Sequence, residues 1–378
     1  MAERLESVRR VLDAQVAAGR MPGYVAAVRA GGEEQVIAGG RTAVEPDSTL
    51  MDDDTLFRIA SVTKPMGGAL TLSLVQDGVI ALEDPIARWL PEAEHPRVLV
   101  APDAPLDRTT GVQRPVTVRH LLTCTSGWGV GVTGTRLRTA MTERGVHPGP
   151  LPTPMSGDEF VAAVAALPLA FQPGDGWLYD TSINLLGVLL ARAAGTSLSD
   201  LFAERITGPL DMTSTGFGTP HVERMAAAYL PTADGLQLLD PPDGVYAAPP
   251  TFEELSGGLV STAGDVFRFY RTMADGGAPL LTRKWVGLMT ADALTDAQRD
   301  QALPFVGPGG SWGLATAVDL DAAQPWMAPG RWGWDGGTGT SARVDPARGT
   351  VGVLMTQRGM TGPQDGFDDF WTAVAESA

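Results

Sequence analysis

The sequence predicts an α+β fold: an antiparallel sheet flanked by helices, with a mostly helical domain inserted into it. Three observations carry this. Strand-like alternation is confined to the two ends of the chain, at "YVAAVRAGGEEQVIAGG" near the start and "WGLATAVDL", "TSARVDP" and "GTVGVLMTQ" near the finish. Helical spacing of apolar residues dominates the middle. Proline and glycine gather near residue 240, where the middle gives way to the end. Joining both ends in one sheet is the economical topology. It divides the chain into a discontinuous sheet domain, residues 1–75 plus 240–378, and an inserted helical domain, residues 76–239.

Taken in order, the first element is a helix with Leu5, Val8, Leu12 and Val16 on one face. Two short strands follow, joined at Gly31-Gly32. "TLFRIAS" is a third extended piece that enters Ser61, and from Val62 the spacing of Leu70, Leu74 and Val75 is helical up to a stop at Asp77-Gly78. Thr117 is placed to cap a short helix in "TVRHLLTCTSG". Ser156 and Glu159 have the spacing of a capping box. "TSINLLGVLLARAAG" reads as a buried helix ended by Gly195, and "SLSDLFAERITGPL" begins another. "TAGDVFRFYRTMADGG", "TRKWVGLMTADAL" and, at the end, "FDDFWTAVAESA" are further helices.

Composition narrows the function. The chain has 378 residues, 44% hydrophobic and 19% charged, which suits a packed globular protein. A net charge of −16 argues against nucleic acid or an anionic membrane as partner, since phosphates would be repelled. No apolar run approaches the roughly 18 residues needed to span a bilayer, and the N-terminal stretch lacks the pattern of a signal peptide. The lone cysteine, Cys124, cannot form an internal disulfide. A cytoplasmic location is the expectation.

Two well-known patterns fail their structural tests. Gly129-Val-Gly131-Val-Thr-Gly134 spells GxGxxG, but it follows a helix and a loop, whereas a dinucleotide site needs strand, turn and helix. It is expected to be a loop. Gly309-Gly-Ser311-Trp-Gly313 spells GxSxG, which should lead into a helix and be followed by histidine. None of the four histidines follows Ser311. His120 and Cys124 share a helix face, but no further ligands are spaced near them, and no metal or cofactor is expected.

The informative stretch is "RIASVTKPMGGAL". Lys64 is one of only two lysines in a chain with 28 lysines and arginines. Serine is a poor nucleophile until a neighbouring base takes its proton. Residues at i and i+3 on a helix share a face, so Ser61 presents its hydroxyl beside the Lys64 amine. Arginine does not lose its proton in proteins; lysine can. The helix N-terminus and desolvation should both lower the Lys64 pKa. Alone, SxxK also describes a helix start followed by a solvated lysine, so its company decides.

That company resembles the serine β-lactamase-like and penicillin-binding-protein-like hydrolases, above all the class C β-lactamases and the related carboxylesterases and D-amino-acid peptidases. "LFRIASVTKPMGGAL", "VTVRHLLTCTSGWG", "FQPGDGWLYDTSINLLGVLLARAAGTSLSDLFAERITGPLDM", "GGLVSTAGDVFRF" and "GWDGGTGTSARVDP" occur in family order and cover nearly the whole chain. The resemblance implies the α/β sandwich of the β-lactamase/transpeptidase type. It implies Ser61 as nucleophile, Lys64 as its base and Tyr179 as the phenol that relays a proton. Thr181 stands where asparagine is usual, which puts recognition of an amide side chain in doubt. In the third motif Trp334, Asp335 and Gly336 stand where Lys-Thr-Gly or His-Thr-Gly is usual, and some esterases of the family carry tryptophan there. The backbone N–H groups of Ser61 and Gly337 would form the oxyanion hole. The first reading is a carboxylesterase acting on small esters through an acyl-enzyme, without metal or cofactor. A β-lactamase or D-amino-acid peptidase or amidase on the same machinery, and an acyltransferase, stay open. So does a binding protein that keeps the fold without the chemistry.

Overall fold

A computed structural model describes residues 5–131, 135–365 and 367–378. Both ends of the chain contribute to one seven-stranded antiparallel sheet. In spatial order its strands are Glu33–Gly40, Gly23–Ala30, Thr350–Thr356, Thr340–Asp345, Trp332–Gly336, Ala317–Asp319 and Gly310–Trp312. The N-terminal hairpin docks on the C-terminal strands in the register Val25 opposite Met355 and Ala27 opposite Val353.

Successive side chains of a strand point to opposite faces, so the central strands feed two cores. Val25, Ala27, Val351, Val353 and Met355 face the helix Ala263–Ala274 and join a large core with Phe269, Tyr270 and Met273. Tyr24, Ala26, Val28 and Leu354 face the other way. There they pack on Val8 and Leu12 of the helix Glu6–Ala17 and on Phe370 and Trp371 of Asp368–Glu376. Each side chain fully buried in this way contributes about 1.5–3 kcal/mol relative to exposure. The helix Thr63–Gln76 is different: it is buried all round from Thr63 to Leu74, between the sheet and the helical middle.

The expected α+β architecture is present, and so are the caps. Thr117 Oγ1 accepts from the His120 N–H, and Ser156 and Glu159 form a reciprocal capping box. Three local expectations change. "WGLATAVDL" breaks into two short paired strands, with Ala315 at φ +61° in the turn between them. "TLFRIAS" forms a ladder only at Phe57–Arg58, against Val260–Ser261. Helices Arg136–Glu143 and Asp296–Val306 and the hairpin Ala228–Thr232 with Gly235–Asp240 were not anticipated. Among the described residues, no single helix is long and apolar enough to cross a membrane.

Candidate active site

Ser61 lies in a 3-10 turn, Ala60–Val62, that runs directly into the helix Thr63–Gln76. Ala60, just before it, has φ +44°, a conformation that costs a non-glycine residue on the order of 1–3 kcal/mol and persists only where surroundings enforce it. Here the enforcement comes from the turn after the strand Trp332–Gly336. The Thr338 hydroxyl donates to the Arg58 carbonyl, and Thr340 Oγ1 donates to the Ile59 carbonyl at 2.8 Å. Gly336 allows this approach: a Cβ there would lie 2.4 Å from the Ile59 oxygen and 2.1 Å from Thr340 Oγ1. Arg58 is itself anchored by a buried ion pair with Asp240 at 2.6 Å between Nε and Oδ2.

Lys64 projects back toward Ser61 from the first turn of the helix and is completely buried. Its Nζ has three acceptors, as many as an ammonium has protons. They are Ser61 Oγ at 2.8 Å, Asp180 Oδ1 at 2.6 Å and the Ser256 carbonyl at 2.7 Å. Sequence reasoning expected a lowered lysine pKa, and the structure reverses this. Burial alone pushes the ammonium down, but the Asp180 carboxylate and Tyr179 outweigh it and hold the amine above its ordinary value. Three acceptors around Nζ are the surroundings that suit an ammonium.

Tyr179 enters from the segment ahead of the helix Thr181–Ala194. That segment pairs with Val130: Val130 N–H donates to the Tyr179 carbonyl at 3.0 Å, and Tyr179 N–H donates back at 2.9 Å. Glycine is required next door, since a Cβ on Gly129 would stand 2.7 Å from the Tyr179 oxygen. The GxGxxG stretch thus begins as support for the tyrosine. Its last residues, 132–134, lie outside the described residues, and a helix capped by Thr135 follows. The Tyr179 ring packs against Phe305, Trp334 and Trp177 with centroids 4.9, 5.8 and 6.0 Å away. Lys64 Nζ sits 4.5 Å from its centroid. Trp334 Nε1–H donates to the phenol oxygen at 2.6 Å. Burial raises the Tyr179 pKa and Lys64 draws it back only in part, so the phenol keeps its proton.

A cleft of about 260 Å³ opens over these groups. Ser61, Tyr179, Trp334, Asp335 and Gly337 form its floor, and Phe305 and the segment Met360–Pro363 wall it. The Gly337 carbonyl accepts from Met360 N–H at 2.8 Å, which ties the Met360 segment to the residue after the strand Trp332–Gly336. Asp335 is not the bare charge expected there. Arg343 Nη2 donates to it at 2.6 Å, and the Ser341 hydroxyl donates to its other oxygen. Thr181 and Gly336, expected to bind substrate, are buried and are not among the residues that line the cleft, and Thr181 Oγ1 has no hydrogen-bond partner among the described residues. Ser311 is buried away from the site with its hydroxyl on Asp292. His120 serves the helix cap through Nδ1.

Sequence reasoning missed Asp180, the Ser256 carbonyl and the outer wall of the cleft. The signal for Asp180 was an acidic residue directly after the tyrosine.

Comparison with known proteins decides the kinship. A family model described as Beta-lactamase matches residues 8–376. The chain belongs to the β-lactamase family. Within reach of this family member, Protein Rv1367c of Mycobacterium tuberculosis is 38% identical over 325 residues, covering 81% of this chain and 78% of that protein. Esterase EstB of Burkholderia gladioli is 32% identical over 394 residues, covering 96% and 93%. Among solved structures, "EstCE1, a hydrolase with promiscuous acyltransferase activity" superposes with a TM-score of 0.85 at 24% identity, covering 99% of this chain and 98% of that one. The β-lactamase-family chain is accordingly an enzyme of the serine hydrolase kind.

Proposed function

We propose that this enzyme is a carboxylesterase that works through an acyl-enzyme on Ser61. The observation that carries the reading is the joint placement of Ser61 Oγ 2.8 Å from Lys64 Nζ, beside Tyr179, in a cleft lined mainly by aromatic and other apolar residues with Asp335 and Thr361. Ser61 Oγ attacks the ester carbonyl, and Lys64 acts as the base that receives its proton. The carbonyl oxygen becomes an oxyanion under the backbone N–H groups of Ser61 and Gly337. Tyr179 hands a proton to the departing alcohol, and water then attacks the acyl-enzyme by the reverse route. Trp334 fixes the phenol by donating to its oxygen, which leaves the phenol proton free to be passed on.

Neutral esters are favoured over substrates that carry a carboxylate. Among the described residues that line the cleft there is no lysine or arginine, and the Arg343 head group is committed to Asp335. Trp334, Phe305, Met360 and Pro363 instead offer apolar contact to an acyl or alcohol group. The relationship to Esterase EstB, over nearly the full length of both chains, supports the same reading. The test compares kcat/KM for p-nitrophenyl acetate and nitrocefin on one preparation, with the ester expected to win by about 100-fold or more. A higher value for nitrocefin would replace esterase by lactamase.

A further inference from the structure

We infer that Asp180 is the proton acceptor that allows Lys64 to serve as a base: the site works as a Ser61–Lys64–Asp180 relay. This rests on the acyl-enzyme reading above and adds a residue to it. Asp180 acts through Lys64 and touches no substrate, so it is a positioning residue.

The backbone speaks first. Asp180 stands at the N-cap position of the helix Thr181–Ala194, where an aspartate ordinarily accepts a hydrogen bond from the first turn and stabilises the helix. It makes no such bond. It adopts φ +78° and ψ −69° instead, a strained conformation for a residue with a side chain. What the carboxylate gains is the 2.6 Å contact with Lys64 Nζ, in a pair whose side chains are 0% and 8% exposed. Local helix stability is given up for a charge placed against the catalytic amine.

That charge raises a difficulty which the relay resolves. With its three protons directed at Ser61 Oγ, Asp180 and the Ser256 carbonyl, Lys64 has no lone pair to offer. The proton on the Asp180 side passes from Nζ to Oδ1, turning the ion pair into a neutral pair of unchanged total charge. The amine turns about its Cε–Nζ bond so that the freed lone pair faces Oγ. As Oγ bonds to the ester carbon, the Oγ–H bond breaks and its proton goes to Nζ, while the carbonyl electron pair moves onto oxygen. Lys64 ends as an ammonium, Asp180 as a neutral acid, and the negative charge has moved from Asp180 to the oxyanion. On collapse, Lys64 sends a proton through Tyr179 to the leaving oxygen and recovers one from Asp180. Burial of the pair keeps the neutral form within reach, since two charges held away from solvent gain little over two neutral partners.

The other titratable groups around the pair are few. Tyr179 lies over it, with its phenol protonated. Cys124, buried on the segment after the helix Val118–Leu122, has a thiol pushed up to about 12 by burial. Glu254, ahead of Ser256, is raised to about 7, chiefly by burial and then by Asp180, and accepts from Thr153 N–H at 2.7 Å. None of these stands between Asp180 and Lys64.

The test is the pH dependence of kcat/KM on p-nitrophenyl acetate. In the wild-type enzyme the ion pair is the working form, so the profile is expected to be flat over about pH 6 to 9. A wild-type profile rising about tenfold per pH unit across that range would mean that Lys64 works only when already neutral, and would overturn the relay. Asp180→Asn keeps the shape and the oxygen that faces Lys64 but cannot take a proton. Its kcat/KM should fall about 100-fold or more near neutrality and recover as pH rises and Lys64 becomes neutral. Asp180→Glu should restore a flat profile at reduced rate. Undiminished activity in Asp180→Asn, or a loss equal at every pH, overturns the proposal; should that variant not fold, the wild-type profile alone decides. Labelling of wild-type Ser61 by a fluorophosphonate separates the two levels. A labelled Ser61 with an unaffected Asp180→Asn removes only the relay, and an unlabelled Ser61 removes the relay and the acyl-enzyme together.

Discussion

Tyr179 shows how much of this site is decided by single atoms. Its ring is held by Phe305, Trp177 and Trp334, so removal of the hydroxyl leaves the packing in place. What disappears is the proposed proton relay and the acceptor of the Trp334 Nε1–H. Tyr179→Phe should therefore remain folded, lose about 1–3 kcal/mol of stability from the orphaned indole donor, and lose about 100-fold or more in kcat. A thermal melt and steady-state kinetics on p-nitrophenyl acetate check both; unchanged kinetics would place the relay on another group. That Ser61 and Lys64 lie side by side was legible in the sequence from their short spacing, and the meeting with Tyr179 from the resemblance of its motif. Asp180 was not, because an aspartate before a helix ordinarily reads as a cap, and only its positive φ turns the carboxylate to Lys64.

At the scale of elements, Ser61, the proposed nucleophile, owes its position to a strand it does not belong to. The turn after Trp332–Gly336 grips the carbonyls of Arg58 and Ile59 through Thr338 and Thr340 and keeps Ala60 in its strained conformation. Gly336→Ala drives a methyl group into the Ile59 oxygen, two residues ahead of Ser61. The expected outcome is a folded protein destabilised by about 1–3 kcal/mol with kcat/KM reduced about 10-fold or more, because the hydroxyl leaves its attack position. Denaturant titration and ester kinetics measure the two effects; a variant with wild-type kinetics would show that the turn does not aim Ser61. The helices with clear caps, such as those begun by Thr117 and Ser156, could be read from local chemistry. Asp296–Val306 also has a capping box, Thr295 with Gln298, but no apolar stripe extends it: it buries only Gln298 and Ala302 and carries Pro304 inside it.

Over the whole molecule, the fold brings together parts of the cleft that are far apart in sequence. The floor joins residues near 61, 179 and 335, while Phe305 and Met360–Pro363 close the outer side. The wall was invisible in the sequence because its position depends on long-range support. Gly359 N–H donates to the Tyr229 carbonyl at 2.7 Å, so the hairpin Ala228–Thr232 with Gly235–Asp240 steadies the segment that lines the cleft. The pairing of the chain's two ends, by contrast, followed from strand-like alternation at each end and helical spacing between. The central claim is that this assembly serves one nucleophile, and peptide mapping by mass spectrometry after treatment with a fluorophosphonate tests it most directly. The expected result is a single adduct on Ser61 that Ser61→Ala abolishes together with ester turnover. An adduct on Ser311, now buried with its hydroxyl on Asp292, or full esterase activity in Ser61→Ala, would contradict it.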